Sequence, residues 1–151
     1  MRPEPQIIAA LFDGPEGRFA EPIPPDVPIS GAGIYTIWDD AGQLVYVGVA
    51  GRNPAGAGLT SRLRSHASGR RSGDQFCVYV ADHYVLPELT PEQIRAIAAS
   101  ELSMDNLVRE KVHRSFAFRF VPVPDYATAL AVESWVKSGE AACGPPRLNP
   151  A

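Results

Sequence analysis

With 151 residues, 45% of them hydrophobic and 21% charged, the chain has enough apolar side chains for the core of one domain and too balanced a composition for a disordered tail. No apolar run approaches the length of a transmembrane helix, Met1-Arg2-Pro3-Glu4-Pro5 lacks the core of a secretory signal, and Cys77 and Cys143 make neither a disulfide scaffold nor a zinc site. The expectation is a cytoplasmic protein with reduced thiols and no membrane partner, whose net charge of −3 argues against a general coat for nucleic acid.

Segment 1–30 is rich in proline (Pro3, Pro5, Pro15, Pro22, Pro24, Pro25, Pro28), and only Gln6–Phe12 has the makings of a short element before Asp13-Gly14-Pro15 ends it. It reads as an arm that wraps the domain or serves a partner. Gly33–Trp38 and Gln43–Val49 alternate as strands, and the turn composition Asp39-Asp40-Ala41-Gly42 joins them into a hairpin. A turn symmetric about Asp40 and Ala41 sets Tyr35 directly opposite Tyr46 on one face; a bulged turn would offset them by one residue and leave the rings close.

A glycine-rich loop over 51–58 leads to Thr60, a candidate cap for a helix ending near Ser68. Leu59, Leu63 and Ala67 form its buried stripe, while Arg62, His66 and Arg70 share another face with Arg64 and Arg71 nearby. Between Ala50 and Gln75 five arginines (Arg52, Arg62, Arg64, Arg70, Arg71) stand against Asp74 alone, a local balance of +4 that leaves −7 for the rest of the chain. A positive patch on an acidic body fits a protein that touches a polyanion at one place.

Phe76–Ala81 reads as a strand, Pro91–Ser100 and Met104–Arg114 as helices, Phe116–Val121 as a strand and Asp125–Lys137 as the clearest helix; residues 143–150 read as irregular. The class is α+β, centred on a small, mainly antiparallel sheet flanked by helices. The helix at 125–137 is apolar almost all round, as a buried helix is, yet carries Glu133. A carboxylate facing a core costs several kcal/mol unless paired. Either Glu133 pairs with Lys137 one turn on, at the helix edge, or it holds a metal ion. Taken singly, Tyr35 and Tyr46 read as sheet core, Arg62 and His66 as a solvated face, and Asn149 as a turn residue before Pro150. Together with Glu133 they make a set suited to phosphodiester cleavage.

These residues carry a resemblance. Gly33-Ile34-Tyr35, then ten residues, then Tyr46-Val47-Gly48 resembles the signature of the GIY-YIG nuclease superfamily, with Val47 where the family has isoleucine. Arg62 with His66 four residues on, Glu133 on the helix after the last strand, and Leu148-Asn149 match further landmarks in the same order. The resemblance runs from about Gly31 to Asn149, which makes 31–151 the domain and leaves out the arm 1–30. It departs from the minimal module at 74–115, where the family has a short connection and this chain adds what reads as a strand and two helices, including His83 and His113. That insertion is either structural padding or a surface for target recognition or dimerisation.

The resemblance implies a metal-dependent endonuclease that hydrolyses DNA to 5′-phosphate and 3′-hydroxyl products, in restriction, defence or repair. Glu133 would hold one divalent cation, Mg²⁺ with Mn²⁺ as the alternative, and Arg62 would contact the scissile phosphate. Tyr35 or His66 would be the general base, Tyr46 would support it, Asn149 would orient the site or backbone, and Gly48 would let the chain pass close to it. Arg52, Arg64, Arg70 and Arg71 would bind flanking phosphates. One centre cuts one strand at a time, so a double-strand cut would require a homodimer or two visits. The competing readings are a non-catalytic nucleic-acid-binding module of the same fold, and an RNA-directed or toxin nuclease.

Overall fold

The structure is a computed structural model that describes residues 1–151. Strands β1 (Gly17–Arg18), β2 (Gly33–Asp39), β3 (Leu44–Ala50) and β4 (Phe116–Pro122) form one antiparallel sheet in the order β1-β4-β2-β3. Helices cover both faces. On one lie α2 (Leu59–Ser68), α3 (Gln75–Val80) and α5 (Met104–Ser115), against Tyr35, Ile37, Tyr46, Phe116 and Phe118. On the other lie α1 (Pro5–Asp13) and α6 (Tyr126–Lys137), against Ile34, Trp38, Leu44 and Val47. A π-helical turn (Ala81–Val85), a 3₁₀ turn (Leu86–Glu88) and α4 (Pro91–Ala98) connect α3 to α5. No helix is long and apolar enough to cross a membrane.

The hairpin forms where its pattern predicts, with a different register. Asp39 pairs its backbone N–H with the Gln43 carbonyl, so the loop is Asp40-Ala41-Gly42, closed by Gly42 at φ +79°. Asp39 Oδ1 accepts from the N–H groups of Ala41 and Gln43 and holds the turn. A bulge between Ile37 and Trp38 then adds a second one-residue slip. Tyr35 therefore opposes Gly48, and Tyr46 opposes Ile37, rather than each other. Two slips restore the side-chain parity, so both phenols stay on one face with ring centres 6.4 Å apart.

Three other elements depart from expectation. Residues 76–81 are not a strand. Asp74 caps a helix there by accepting from the Cys77 N–H, and Phe76, Cys77, Val80 and Ala81 are buried, at helical spacing. Segment 74–115 consequently contains helices and their connections but no strand. Thr60 does not cap α2, which starts after Gly58; its hydroxyl donates to the carbonyls of Val27 and Pro28 and sews the arm onto the helix. Helix α6 buries one face only (Ala129, Val132, Trp135, Val136), and Leu130 stands 42% exposed on the other.

The proline-rich segment packs on the body. Leu11 and Phe19 are enclosed, Ile7 and Val27 nearly so, and β1 pairs with β4 at Gly17–Phe118 and Arg18–Ala117. Arg119 fastens the turn between α1 and β1, donating to the Gly14 carbonyl, pairing with Glu16 at 3.0 Å and lying over Trp38. At the other end, Arg147 and Leu148 donate to the carbonyls of Leu44 and Val45, so the irregular tail runs along the outer edge of β3.

Candidate functional site

Where that tail ends, β3 borders a cleft of about 470 Å³. Tyr35 from β2, and Tyr46 and Gly48 from β3, supply its floor. Arg62 enters from α2, and Glu133 comes round from α6 on the opposite layer. The loop at 51–58 adds Arg52 and Asn53, and Tyr126 lies two turns before Glu133 on the same face of α6. The cleft thus gathers Tyr35, Tyr46, Arg62, Glu133 and Arg52 among the residues singled out in the sequence.

It does not gather the others. His66 is enclosed behind Tyr35 rather than solvated, with its Nε2 2.7 Å from the Tyr35 hydroxyl and its Nδ1 2.7 Å from Asp74 Oδ2. Asn149 stands outside the cleft, on the edge of β3. Its Oδ1 accepts from the Val47 N–H at 3.1 Å and its Nδ2 donates to the Val47 carbonyl at 2.7 Å, so the side chain pairs with the strand as a peptide would. That holds the segment between Tyr46 and Gly48. Arg64 and Arg70 are exposed beyond the cleft. Arg70 does not continue the α2 face, because Gly69 ends the helix at φ +73°. Arg71, also outside, is tied to Asp105 at 2.6 Å.

Gly48 carries a specific steric demand: a methyl group there would run into the ring and hydroxyl of Tyr35. The absence of a side chain on β3 is what lets the phenol lie across the strand. Arg62 takes part in none of the ion pairs of the chain, and its Nε is buried with no hydrogen-bond partner. A half-buried guanidinium with an orphaned donor has hydrogen-bonding capacity that the chain itself does not use. Glu133 is the cleft's sole carboxylate, and its Oε1 stands 3.4 Å from Lys137 Nζ, so the one-turn ion pair forms.

Electrostatics separate the groups. Burial, reinforced by neighbouring Tyr46, pushes the Tyr35 phenol far above its ordinary range despite Arg62 beside it. Burial likewise pushes Tyr46 up to about 12 against the opposing pull of Arg62. Neither phenol ionises by itself near neutral pH. Burial lowers His66, with the Asp74 hydrogen bond working the other way, so the imidazole is neutral at rest. Burial alone would raise Asp74, but bonds from His66, Ser65 and the Cys77 N–H outweigh it and hold the carboxyl well below its usual range. An ionised Asp74 only accepts, so His66 carries its proton on Nδ1 and its Nε2 accepts from the Tyr35 O–H.

Asp74, Tyr126 and Asn53 are the neighbours that sequence reasoning missed. Tyr126 carried a signal, being seven residues before Glu133 on one helix. Asp74 carried none, since the eight residues from His66 cross a helix end and a loop. No cluster of three or more His, Cys, Asp or Glu side chains is arranged to hold a metal ion. No protein-family model matches the chain, and neither a curated protein nor a solved structure matches it.

Proposed function

We propose that the chain is a metal-dependent endonuclease of the GIY-YIG kind that hydrolyses DNA phosphodiester bonds in the cytoplasm. The observation that carries this reading is Arg62: an unpaired, half-buried guanidinium with an orphaned Nε, in the same cleft as a lone carboxylate and two phenols. A phosphodiester supplies the missing acceptor, and planar donors suit its two free oxygens. The donor set also decides which cation fits. One carboxylate cannot build a calcium cage or a zinc tetrahedron, whereas Mg²⁺ keeps most of its waters and takes one protein carboxylate plus phosphate oxygens. Glu133 fits that role, with Mn²⁺ as a substitute. The bound cation would stabilise charge on the phosphate and on the departing 3′-oxygen.

The chain's own residues do the rest. Arg62 orients the scissile phosphate and balances its developing charge. Tyr35 serves as base without becoming a free phenolate: its oxygen takes the proton of the attacking water as its own proton passes to His66 Nε2. Water oxygen bonds to phosphorus, the bond to the 3′-oxygen breaks, the departing oxygen takes a proton from solvent water to become the 3′-hydroxyl, and the hydroxide so formed is neutralised by the proton that the imidazolium gives back through Tyr35. Tyr35 has no exposed surface, so the side chains over it must move aside for its oxygen to meet a water. Tyr46 borders the same space, and Arg52 extends the positive wall toward flanking phosphates. Both cysteines are free thiols, in accord with a reducing compartment.

The test is cleavage of supercoiled plasmid with Mg²⁺ or with EDTA, for the wild type and for Glu133→Ala. Metal-dependent nicking lost by at least about 100-fold in the variant, with DNA binding retained, is the expected result. Full activity of Glu133→Ala would overturn the metal assignment, and binding without cutting by the wild type would favour a non-catalytic module. Running RNA and branched DNA alongside identifies the substrate, and nicked versus linear product shows whether one centre or two act in a single encounter.

A further inference from the structure

We propose that Asp74 is a positioning residue for this chemistry: its Oδ2 pins the His66 proton on Nδ1, which leaves Nε2 bare to take the proton of Tyr35. This rests on the nuclease reading of the cleft. Asp74 is enclosed at the start of the segment that the minimal family module lacks, and its two oxygens are separately engaged. Oδ1 accepts from the Cys77 N–H at 3.0 Å and caps α3. Oδ2 accepts from Ser65 Oγ at 2.6 Å and from His66 Nδ1 at 2.7 Å. A cap needs one oxygen, which serine or threonine would supply. The second, held against a buried imidazole, is surplus to the cap.

The other groups around the ring are Tyr35 from β2, Tyr46 from β3, Phe76 from α3 and Arg62 from its own helix. None is a carboxylate. Asp74 is therefore the group that balances an imidazolium at His66, and without it the nearby Arg62 charge would oppose proton transfer from Tyr35.

Asp74→Asn tests this, because the cap dictates which way the new amide points. Its Oδ1 must stay on the Cys77 N–H, which puts Nδ2 as a donor toward His66 Nδ1 and drives the ring to the Nε2–H tautomer. The expected result is a kcat lower by on the order of 100-fold or more, with KM little changed. The ring-nitrogen NMR spectrum should show Nε2 unprotonated in the wild type and protonated in Asp74→Asn. Ser65→Ala, which leaves the pin in place, should keep the wild-type tautomer. A wild-type spectrum with Nε2 protonated overturns the proposal, even if Asp74→Asn fails to fold. So does a variant that switches tautomer and still cuts at the wild-type rate. Failure of the wild type to cut any substrate overturns the nuclease reading and the catalytic half of this one, while the spectrum decides the pinning independently.

Discussion

At Gly48 the cleft depends on a side chain that is missing. A methyl group added there meets Tyr35 head-on, and the enclosed ring has nowhere to retreat. Gly48→Ala should cost about 1–3 kcal/mol of stability, read as a lower urea midpoint at unchanged slope, and should break the Tyr35–His66 bond. A midpoint equal to wild type would mean that the phenol is free to move. The resemblance implied that the backbone passes close to the site at Gly48; that the neighbour there is Tyr35 follows only from the two register slips of the hairpin. Tyr35, Tyr46, Arg62 and Glu133 were grouped in the sequence only by resemblance to a family's ordered landmarks, since composition and periodicity did not show that they converge. Asp74 was not. A residue that works through a loop and a helix cap has no period to reveal it, and in a charge count it was merely the one acid among arginines.

Helix α2 and the loop after it deliver their arginines unevenly. Arg62 faces the cleft, Arg64 and Arg70 face solvent unpaired, and Arg71 is already engaged with Asp105. Substituting Arg70 with alanine should lower the slope of log binding constant against log salt by about 1, one phosphate contact, across 50–200 mM salt. Arg71→Ala should lower it by less, since the Asp105 contact must first be given up. An unchanged slope for both would place the DNA elsewhere. Secondary structure was read correctly where start and stop signals were unambiguous, as at α4, whose Thr90–Gln93 capping box forms, and at α6, capped by Asp125. It was misread at α3. Phe-Cys-Val-Tyr-Val has strand propensity, and the Asp74 cap together with burial of Phe76, Cys77 and Val80 overrode it.

Across the whole molecule, the proline-rich arm and the tail act as clasps on a sheet too small to cover itself. Leu11, on the buried face of α1, is fully enclosed, and truncating such a side chain costs about 2–5 kcal/mol, a large share of the roughly 5–15 kcal/mol a domain has in hand. Leu11→Ala should therefore shift the thermal midpoint strongly, and removal of residues 1–30 should abolish cooperative unfolding, as followed by calorimetry. A truncated chain that melts sharply at the wild-type temperature would show the arm to be dispensable. The arm's role was not legible because prolines announce irregular backbone and say nothing of what Phe19 and Val27 will pack upon.

The bond between Asn149 and Val47 joins positions 102 residues apart, and Glu133 reaches the phenols from almost as far along the chain. A ribosome adding roughly 5–20 residues each second needs several seconds to pass from the hairpin to the helix that carries the carboxylate. During that interval the nascent chain holds both tyrosines and Arg62 but cannot yet complete the cleft. Synthesis in one direction thus separates, in time, the part that would grip a nucleic acid from the part that would let it be cut. On the nuclease reading, a translation product broken off before Glu133 would lack the carboxylate and could not cut.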